Sequence, residues 1–470
     1  MSGFSIKTAM GVAACKAARA GLRIARSGGT TLPGRAAMFF DKDILASVSE
    51  GMDIIVVTGT NGKTTTCRML EQALSSTGRS VLANKSGANL LRGVTAEFTA
   101  NADWMGRPRK KFAVIECDEG ALKQVVPLIK PKVILVTNLF RDQLDRYGEV
   151  MHTLDQIRTG IRLAPQSIIC LNADCSLTSS LAFDVPNKVI YYGLDCPVGE
   201  QKDAEISDAK YCIRCGTEYK YEYHTYAHLG GFYCPKCGYR RSRPQTAVTA
   251  IRKLTAQGTD IQMEFRSPDE KDPAKEKTVT RDVFVSLPAV YNVYNAAGAV
   301  CAYTAAGFGR GDILKSLAKT SSSFGRMETF DLDGVRVQMI LVKNPAGCNQ
   351  ALSYVTSLEE DYNAVICLND QTADGHDISW IWDAEYEKLS SDENLKNIIV
   401  AGDRAEDMQL RLKYAGVPED KIRLVRGWDQ LTEQMRDSSY PVFVLPNYTS
   451  MLALRRTLAE ATGKQEFWKG

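Results

Sequence analysis

Met52-Asp53-Ile54-Ile55-Val56-Val57-Thr58-Gly59-Thr60-Asn61-Gly62-Lys63-Thr64-Thr65 decides how this chain is read. The apolar run suits a buried strand, a glycine-bearing loop follows, and a helix is predicted from there through about Ser76. Backbone N–H groups at a helix N-terminus bind phosphate through unpaired donors and aligned dipoles, and glycine lets the backbone approach closely. Gly59, Thr60, Asn61, Gly62, Lys63, Thr64 and Thr65 are therefore the expected nucleotide-phosphate cradle. Lys63 would neutralise the β- and γ-phosphates, and the Thr64 hydroxyl would ligate Mg²⁺. The longer phosphate-loop pattern needs glycine where Val57 stands, so this loop is the shorter G-T-N-G-K-T form.

Outward from that loop, strand and helix patterns alternate. Phe112–Ile115, Val133–Val136 and Ser167–Leu171 read as further parallel strands, and residues 288–306 as an alanine-rich helix. Strand-helix units resume at 335–342, 364–368, 397–401 and 441–445. The alternation predicts an α/β domain with a parallel sheet, followed by a smaller α/β domain. Arg266–Lys277 looks like a hairpin tip or loop. Thr320-Ser321-Ser322-Ser323, ahead of Phe324-Gly325-Arg326, suggests a hinge. The predicted division is a basic segment at 1–50, an ATP-binding domain at 51–318 and a C-terminal domain at 319–470.

Composition fits this plan. The chain has 470 residues, 58 Lys+Arg against 55 Asp+Glu, 44% hydrophobic and 24% charged residues. Such near-neutrality argues against a protein built mainly to grip a polyanion. No window approaches roughly eighteen consecutive apolar residues, so no transmembrane span is expected. The first forty residues are the exception to the balance. They carry Lys7, Lys16, Arg19, Arg23, Arg26 and Arg35 and no acidic residue. Residues 5–26 read as an amphipathic helix, either packed on the body of the protein or turning a basic face to anionic lipid or a phosphate-bearing substrate. Gly28-Gly29 would end it, and Leu32-Pro33-Gly34-Arg35 would form a turn.

Thirteen cysteines are too sparse for a secreted disulfide scaffold. Cys212-x-x-Cys215 and Cys234-x-x-Cys237 instead have metal-ligand spacing, with a glycine (Gly216, Gly238) after each pair. They predict a structural Zn²⁺ site, a zinc ribbon inserted at about 205–243, in a reducing, cytoplasmic setting. Four thiolates saturate the metal and leave no open catalytic position. Lys236, Arg240, Arg241 and Arg243 would suit a nucleic-acid-binding ribbon, but the charge balance argues against that. The other nine cysteines read as isolated thiols.

The phosphate loop resembles that of the Mur ligase family, which includes folylpolyglutamate synthase. Ile115-Glu116-Cys117-Asp118-Glu119 resembles the family's acidic motif. Thr137-Asn138-Leu139-Phe140-Arg141-Asp142-Gln143-Leu144-Asp145 is similar to its T-N-x-x-x-D-H-L-D motif. Leu171-Asn172-Ala173-Asp174 and Tyr291-Asn292-Val293-Tyr294-Asn295-Ala296 follow in the family's order. A strand-end carboxylate sits where α/β folds collect ligands, so Glu116 is the first expected Mg²⁺ ligand and Glu119 the second. Gln143 replaces the family's histidine, which weighs against a second metal. By resemblance, Asn292 and Asn295 face adenine, or else cap a helix. Arg326 reaches the ATP phosphates from the hinge, or else is an ordinary exposed arginine.

Two later segments narrow the resemblance. They are Lys343-Asn344-Pro345-Ala346-Gly347-Cys348-Asn349-Gln350 and Leu368-Asn369-Asp370-Gln371-Thr372-Ala373-Asp374-Gly375-His376-Asp377-Ile378-Ser379-Trp380-Ile381-Trp382-Asp383. Both are similar to the family's amidating branch, the synthetase subunits of lipid II isoglutaminyl synthases. That resemblance implies a heterodimer with a GatD-like glutamine amidotransferase. It also implies ATP-driven amidation of the D-glutamate α-carboxylate of lipid II through an acyl phosphate, and work at the inner face of the membrane. Asp377, or next Asp374, would complete the partner's catalytic triad; either could instead cap the helix at Trp380-Ile381-Trp382. An in-chain glutaminase would have to use Cys348 and His376, yet Cys348 does not sit in a G-x-C-x-G elbow. The alternatives are an amino-acid- or folate-adding ligase of the same fold and an ATP-binding nucleic-acid module.

Overall fold

The computed structural model describes residues 5–24, 31–84, 88–141, 150–198, 208–268, 275–320 and 325–464. Three helices come first: α1 (Ile6–Ile24), α2 (Leu32–Phe40) and α3 (Ile44–Ser49). Leu32-Pro33-Gly34-Arg35, expected as a turn, is the first turn of α2. Proline suits that position because the first helical N–H groups lack acceptors anyway and its fixed φ is already helical. A Cβ at Gly34 would stand 1.8 Å from the Arg92 carbonyl oxygen, so only glycine lets α2 pack this closely. Gly28-Gly29, the expected helix stop, lies outside the described residues.

The chain then runs β1 (Asp53–Thr58), α4 (Lys63–Ser76), β2 (Val81–Ala83), α5 (Leu91–Asn101), β3 (Phe112–Glu116), α6 (Leu122–Ile129) and β4 (Val133–Val136). It continues through α7 (Val150–Arg162), β5 (Ile168–Asn172), the short α8 (Ser176–Ser179) and β6 (Val189–Leu194). A small hairpin, β7 (Lys220–Tyr226) and β8 (Leu229–Tyr233), precedes three long strands, β9 (Thr246–Thr255), β10 (Gly258–Pro268) and β11 (Glu276–Val285). Helices α9 (Val290–Ala305) and α10 (Arg310–Leu317) follow.

The nine-stranded sheet has the order β11-β10-β9-β6-β5-β4-β1-β3-β2. Its strands from β2 to β9 pair in parallel, and β1, β3, β4 and β5 are almost wholly buried, as a sheet covered on both faces requires. The expectation of a parallel sheet needs one correction, because β9, β10 and β11 form an antiparallel meander. Short connections force that direction, since a parallel return needs a crossover of a dozen residues or so. The predicted tip at Arg266–Lys277 falls between β10 and β11, with 269–274 outside the described residues.

A second sheet, in the order β12-β13-β17-β14-β15-β16, takes up the rest of the chain. Its strands are β12 (Arg326–Leu332), β13 (Val335–Ile340), β14 (Tyr362–Cys367), β15 (Leu395–Ala401), β16 (Ile422–Leu424) and β17 (Val442–Pro446). The helices are α11 (Pro345–Thr356), α12 (Glu387–Ser390), α13 (Ala405–Tyr414), α14 (Trp428–Arg436) and α15 (Tyr448–Thr462). Separate clusters around Leu352, Tyr362 and Ile398, and around Phe330, Val444 and Leu454, fill its two faces. Residues 321–324 of the predicted hinge lie outside the described residues.

Candidate functional site

β1 lies between β3 and β4, so the chain leaves β1 toward one side of the sheet and returns on the other. A crevice opens at the carboxyl ends of strands at such a switch point. Three segments meet there: the loop after β1, the end of β3 at Glu116, and Thr137-Asn138 after β4.

The phosphate loop is held by an asparagine clamp. The Asn61 N–H donates to Asn138 Oδ1 at 2.9 Å, and Asn138 Nδ2 donates to the Asn61 carbonyl at 3.1 Å. The Thr60 N–H donates to the Asn138 carbonyl at 2.8 Å. Gly59 and Gly62 have φ of +114° and +86°, which side chains rarely adopt. A Cβ on Gly62 would also meet Asn295 Oδ1 at 2.0 Å. Thr65, one turn into α4, is buried beneath the loop.

Lys63 and Thr64 open α4 and turn toward the acidic motif. Lys63 Nζ donates to the Gly59 carbonyl at 2.5 Å and to Glu119 Oε1 at 3.0 Å. The Thr64 hydroxyl donates to Glu116 Oε2 at 2.8 Å. Asn84 pins the Glu116 backbone in both directions, and Asn89 Nδ2 reaches Glu116 Oε1 at 3.3 Å. Burial works to lower the Lys63 ammonium, but Glu119, Glu116 and Asp118 outweigh it and hold it above its ordinary value. Burial lifts the Glu119 carboxyl, against the pull of Lys63 and with the push of Asp118. Three carboxylates thus crowd one ammonium, and this surplus of negative charge beside a hydroxyl oxygen suits a hard divalent cation. The expected Mg²⁺ set, Thr64, Glu116 and Glu119, is brought together here. Gln143 lies outside the described residues.

A cleft with about 700 Å³ of empty volume, including its open mouth, adjoins this cluster. Asn61, Gly62 and Thr65 line one end, Tyr291, Asn292 and Asn295 the side, and Arg326, Met327 and Gln350 the opposite wall. Of the expected nucleotide residues, Asn61, Gly62, Thr65, Asn292, Asn295 and Arg326 therefore line one cleft, while Gly59, Thr60, Lys63 and Thr64 lie outside its lining. Asn292 Nδ2 donates to the Pro288 carbonyl at 2.6 Å, and Asn295 Nδ2 donates to Asn292 Oδ1 at 3.1 Å. Helix-start bonding and cleft-facing position thus coexist in these two residues. Asn344 Nδ2 reaches Asn61 Oδ1 at 3.3 Å, and the Arg141 guanidinium donates to Asp383 at 2.6 Å, so both sheets bear on the site.

The four insertion cysteines converge. Their sulfurs all lie within 4.8 Å of one another, with Cys212–Cys237 at 3.6 Å and Cys215–Cys234 at 3.5 Å. Zn–S bonds of about 2.3 Å in a tetrahedron put sulfurs about 3.8 Å apart, so the set fits a structural metal. The two knuckles are built alike: Gly216 N–H donates to the Cys212 carbonyl at 2.8 Å and Gly238 N–H to the Cys234 carbonyl at 3.1 Å. Both glycines have positive φ, +70° and +73°. Among the described residues the ribbon's own buried core is Cys212, Tyr219, Phe232, Cys234 and Tyr239, with Ile213, Cys215 and Tyr221 partly buried against it. Its neighbouring cations are mostly committed: Arg241 to Asp174 and Asp195, Arg240 to Glu222, and Arg243 to Glu276. That leaves little of the basic cluster for a nucleic acid.

Asp374 and Asp377 lie on the loop after β14. Asp374 accepts from the Thr449 N–H at 2.8 Å and, through its other oxygen, from the Thr449 hydroxyl. Burial lifts its carboxyl above the ordinary value. Asp377 is exposed; one oxygen caps Ser379 N–H at 2.8 Å, and this bonding holds its carboxyl below the usual range. Arg411, buried, donates to the Ile381 and Ala384 carbonyls at 3.0 and 2.7 Å and so fixes the turn carrying Trp380 and Trp382. The in-chain glutaminase alternative finds no support in the partners of Cys348 and His376. Cys348 is buried against the Tyr386 hydroxyl, with its thiol pushed up to about 12 by burial, while His376 is exposed and 2.8 Å from the Asp370 carbonyl.

Cys175 is not an isolated thiol either. Its Sγ lies 3.3 Å from His228 Nε2, both groups buried. Burial pushes the thiol up, yet His228 together with the backbone N–H groups of Thr178 and Leu139 outweighs this and its value is lowered. The imidazole packs 4.7 Å from the Phe140 ring, directly behind the Thr137-Asn138 segment. The sequence signal was that two of only four histidines, His224 and His228, fall in the ribbon hairpin. The buried Asp174, bonded to Arg241 and Tyr294, was likewise not foreseen as the tie between ribbon and core.

Comparison with known proteins adds to this geometry. Residues 57–225 match the Mur ligase middle domain, and residues 341–451 match the MurT ligase C-terminal family. The chain is 33% identical over 459 residues to the Streptococcus pneumoniae "lipid II isoglutaminyl synthase (glutamine-hydrolyzing) subunit MurT", covering 97% of this chain and 98% of that one. It is 34% identical to the protein of the same name in Staphylococcus aureus, covering 94% and 96%. Among solved structures, a pseudomurein peptide ligase type C from Methanothermus fervidus superposes with TM-score 0.63 at 19% identity, covering 89% of this chain and 80% of that one. That likeness concerns the fold.

Proposed function

The chain belongs to the MurT family of Mur ligases, and on that premise we propose that it is the synthetase subunit of a lipid II isoglutaminyl synthase. It is a ligase, and ATP with Mg²⁺ is the family's energy source. In the proposed reaction the D-glutamate α-carboxylate of the lipid II stem peptide attacks the γ-phosphorus of ATP, and ADP leaves. Ammonia then attacks the acyl carbon, phosphate leaves, and loss of a proton yields the D-isoglutamine amide. Carboxylate is a poor electrophile at neutral pH, which is why phosphorylation must come first.

The observation that carries this reading is the pairing of Lys63 and Thr64 with Glu119 and Glu116, on the helix whose preceding Gly62 and following Thr65 line the cleft. Phosphoryl transfer needs positioning and charge neutralisation more than covalent help. Lys63 would hold the β- and γ-phosphates, Arg326 would face them from the other sheet, and Asn292 and Asn295 would border the adenine. Thr64, Glu116 and Glu119 would hold Mg²⁺, which when bound draws charge from the phosphate oxygens. We keep the division at 1–50, 51–318 and 319–470. The last part would dock a GatD-like glutaminase through the Asp377 loop, where Trp382 and Tyr414 are 49% and 72% exposed. Work would then take place in the cytoplasm, at the membrane's inner face. Among the described residues no helix is long and apolar enough to cross a membrane.

The test is incubation of the purified chain with lipid II, ATP and high ammonium. Mass spectrometry should find one carboxylic acid converted to carboxamide, with ADP released. ADP release that requires an added amino acid instead would point to an amino-acid-adding ligase.

Zn²⁺ in the four-cysteine site would be structural. Five buried side chains are too few to hold a ribbon alone, so metal binding supplies its folding energy. Chelation should raise amide hydrogen exchange across β7 and β8 while α4 stays protected. Unchanged protection in a metal-free protein would make the ribbon self-sufficient.

A further inference from the structure

The face of α1 that points away from the protein is apolar. Ile6, Met10, Ala13, Ala17 and Ile24 recur along one stripe, and all five are exposed. The opposite face, with Val12 and Cys15 fully buried, already packs on the body. A surface helix ordinarily buries its apolar stripe and shows water its polar one. Here both long faces are apolar, and the cations stand on the flanks.

Neighbouring elements continue the pattern. On α2, Leu32, Arg35 and Phe39 share a stripe opposite the buried Gly34 and Ala37, with Phe39 83% exposed. The loop after α5 shows Trp104 and Met105, 61% and 45% exposed, and Lys16 Nζ sits 4.4 Å over the Trp104 ring. Nearby acids are engaged locally: Glu97 with Arg19, Asp41 with the Thr8 hydroxyl, and Asp103 with the N–H groups of Met105 and Arg107. Lys7, Arg23 and Arg35 stay exposed.

We propose that this face of α1 and α2 docks on an anionic lipid surface, apolar side chains entering the acyl boundary and flanking cations meeting headgroup phosphates. The proposal rests on the lipid-linked substrate reading above and adds where the membrane is met. Six cations without an acid in the first forty residues give the charge complementarity. An apolar stripe with cationic flanks and an aromatic ring, on helices that themselves carry no acid, is the pattern of an interfacial helix. A protein partner would be the alternative occupant of the same face.

The experiment is co-sedimentation of the full chain with vesicles of phosphatidylcholine alone or with about one quarter phosphatidylglycerol. The full chain should bind the anionic vesicles, and more weakly as salt rises through the range that screens exposed charges. Met10→Glu with Phe39→Glu should weaken that binding about 10-fold or more, and Lys7→Glu with Arg35→Glu should remove the preference for anionic lipid. Thermal melting checks that both variants remain folded. Amidation of a short-chain, detergent-dispersed substrate, run in parallel, should be unaffected by either pair. Absent vesicle binding, or binding unchanged by the apolar pair, overturns the proposal, as does loss of the amidotransferase partner instead of lipid. Absent turnover in the unmodified protein, with vesicle binding intact, would count against the ligase reading alone.

Discussion

Lys63→Ala is expected to cut ATP-dependent turnover by about 10²–10³-fold or more, the scale on which removing one preorganised charge donor acts. The ammonium is bonded within the acidic cluster, 3.0 Å from Glu119 and 2.5 Å from the Gly59 carbonyl. Without it, the γ-phosphate would meet Glu116, Asp118 and Glu119 with no compensating charge from the loop. The fold should survive, because α4 is anchored by Met69, Leu70, Ala73 and Leu74 on its buried face. The stranded Glu119, already lifted by burial, can take up a proton when its partner goes. ADP release and thermal melting, measured together, check this. A folded variant with full activity would overturn the assignment of Lys63.

Lys63→Arg should rescue little. The guanidinium is a broad planar fork, while the ammonium is a compact charge with three rotatable donors. The pocket around Nζ is closed by the Gly59 and Thr60 carbonyls and Glu119. Retention of positive charge without recovery of ADP release would separate geometry from charge at this position.

What could be read from the residues was local. β1, its loop and α4 follow one another without interruption, and each has its own chemical signature. The place of Glu116 at the end of β3 was legible because the apolar run before it marks a buried strand. The meander of β9 to β11 was not recognised, although Ile261, Met263 and Phe265 are buried and alternate with more exposed neighbours. That period-2 pattern sits between charged stretches that read as loop. Asn138 clamping Asn61 joins residues 77 apart, and Tyr294 bonding Asp174 joins residues 120 apart. No local pattern encodes such pairs; they follow from strand order, which is a property of the whole sheet. The Leu32-Pro33 stretch was misread for a simpler reason, since proline marks both turns and first helical positions.

Asp377→Asn is expected to lower glutamine-driven amidation by about 10²–10⁴-fold and to leave ammonia-driven amidation close to normal. In a Cys-His-Asp arrangement the carboxylate orients the histidine and stabilises its charged form, so it must be ionised at neutral pH. Asp377 meets that need. Its bond from Ser379 keeps the carboxyl below the ordinary range, one oxygen is committed to that bond, and the residue is exposed. Asparagine keeps the acceptor oxygen for the Ser379 N–H and loses only the charge. Asp374 is the poorer candidate, because both of its oxygens hold Thr449 at the start of α15. Asp374→Asn should therefore lower thermal stability more than it separates the two activities. If Asp374→Asn gave the selective loss and Asp377→Asn none, the roles would be exchanged. If Asp377→Asn abolished both activities, the residue would belong to the synthetase chemistry, and the glutaminase partner would have to supply its own acid.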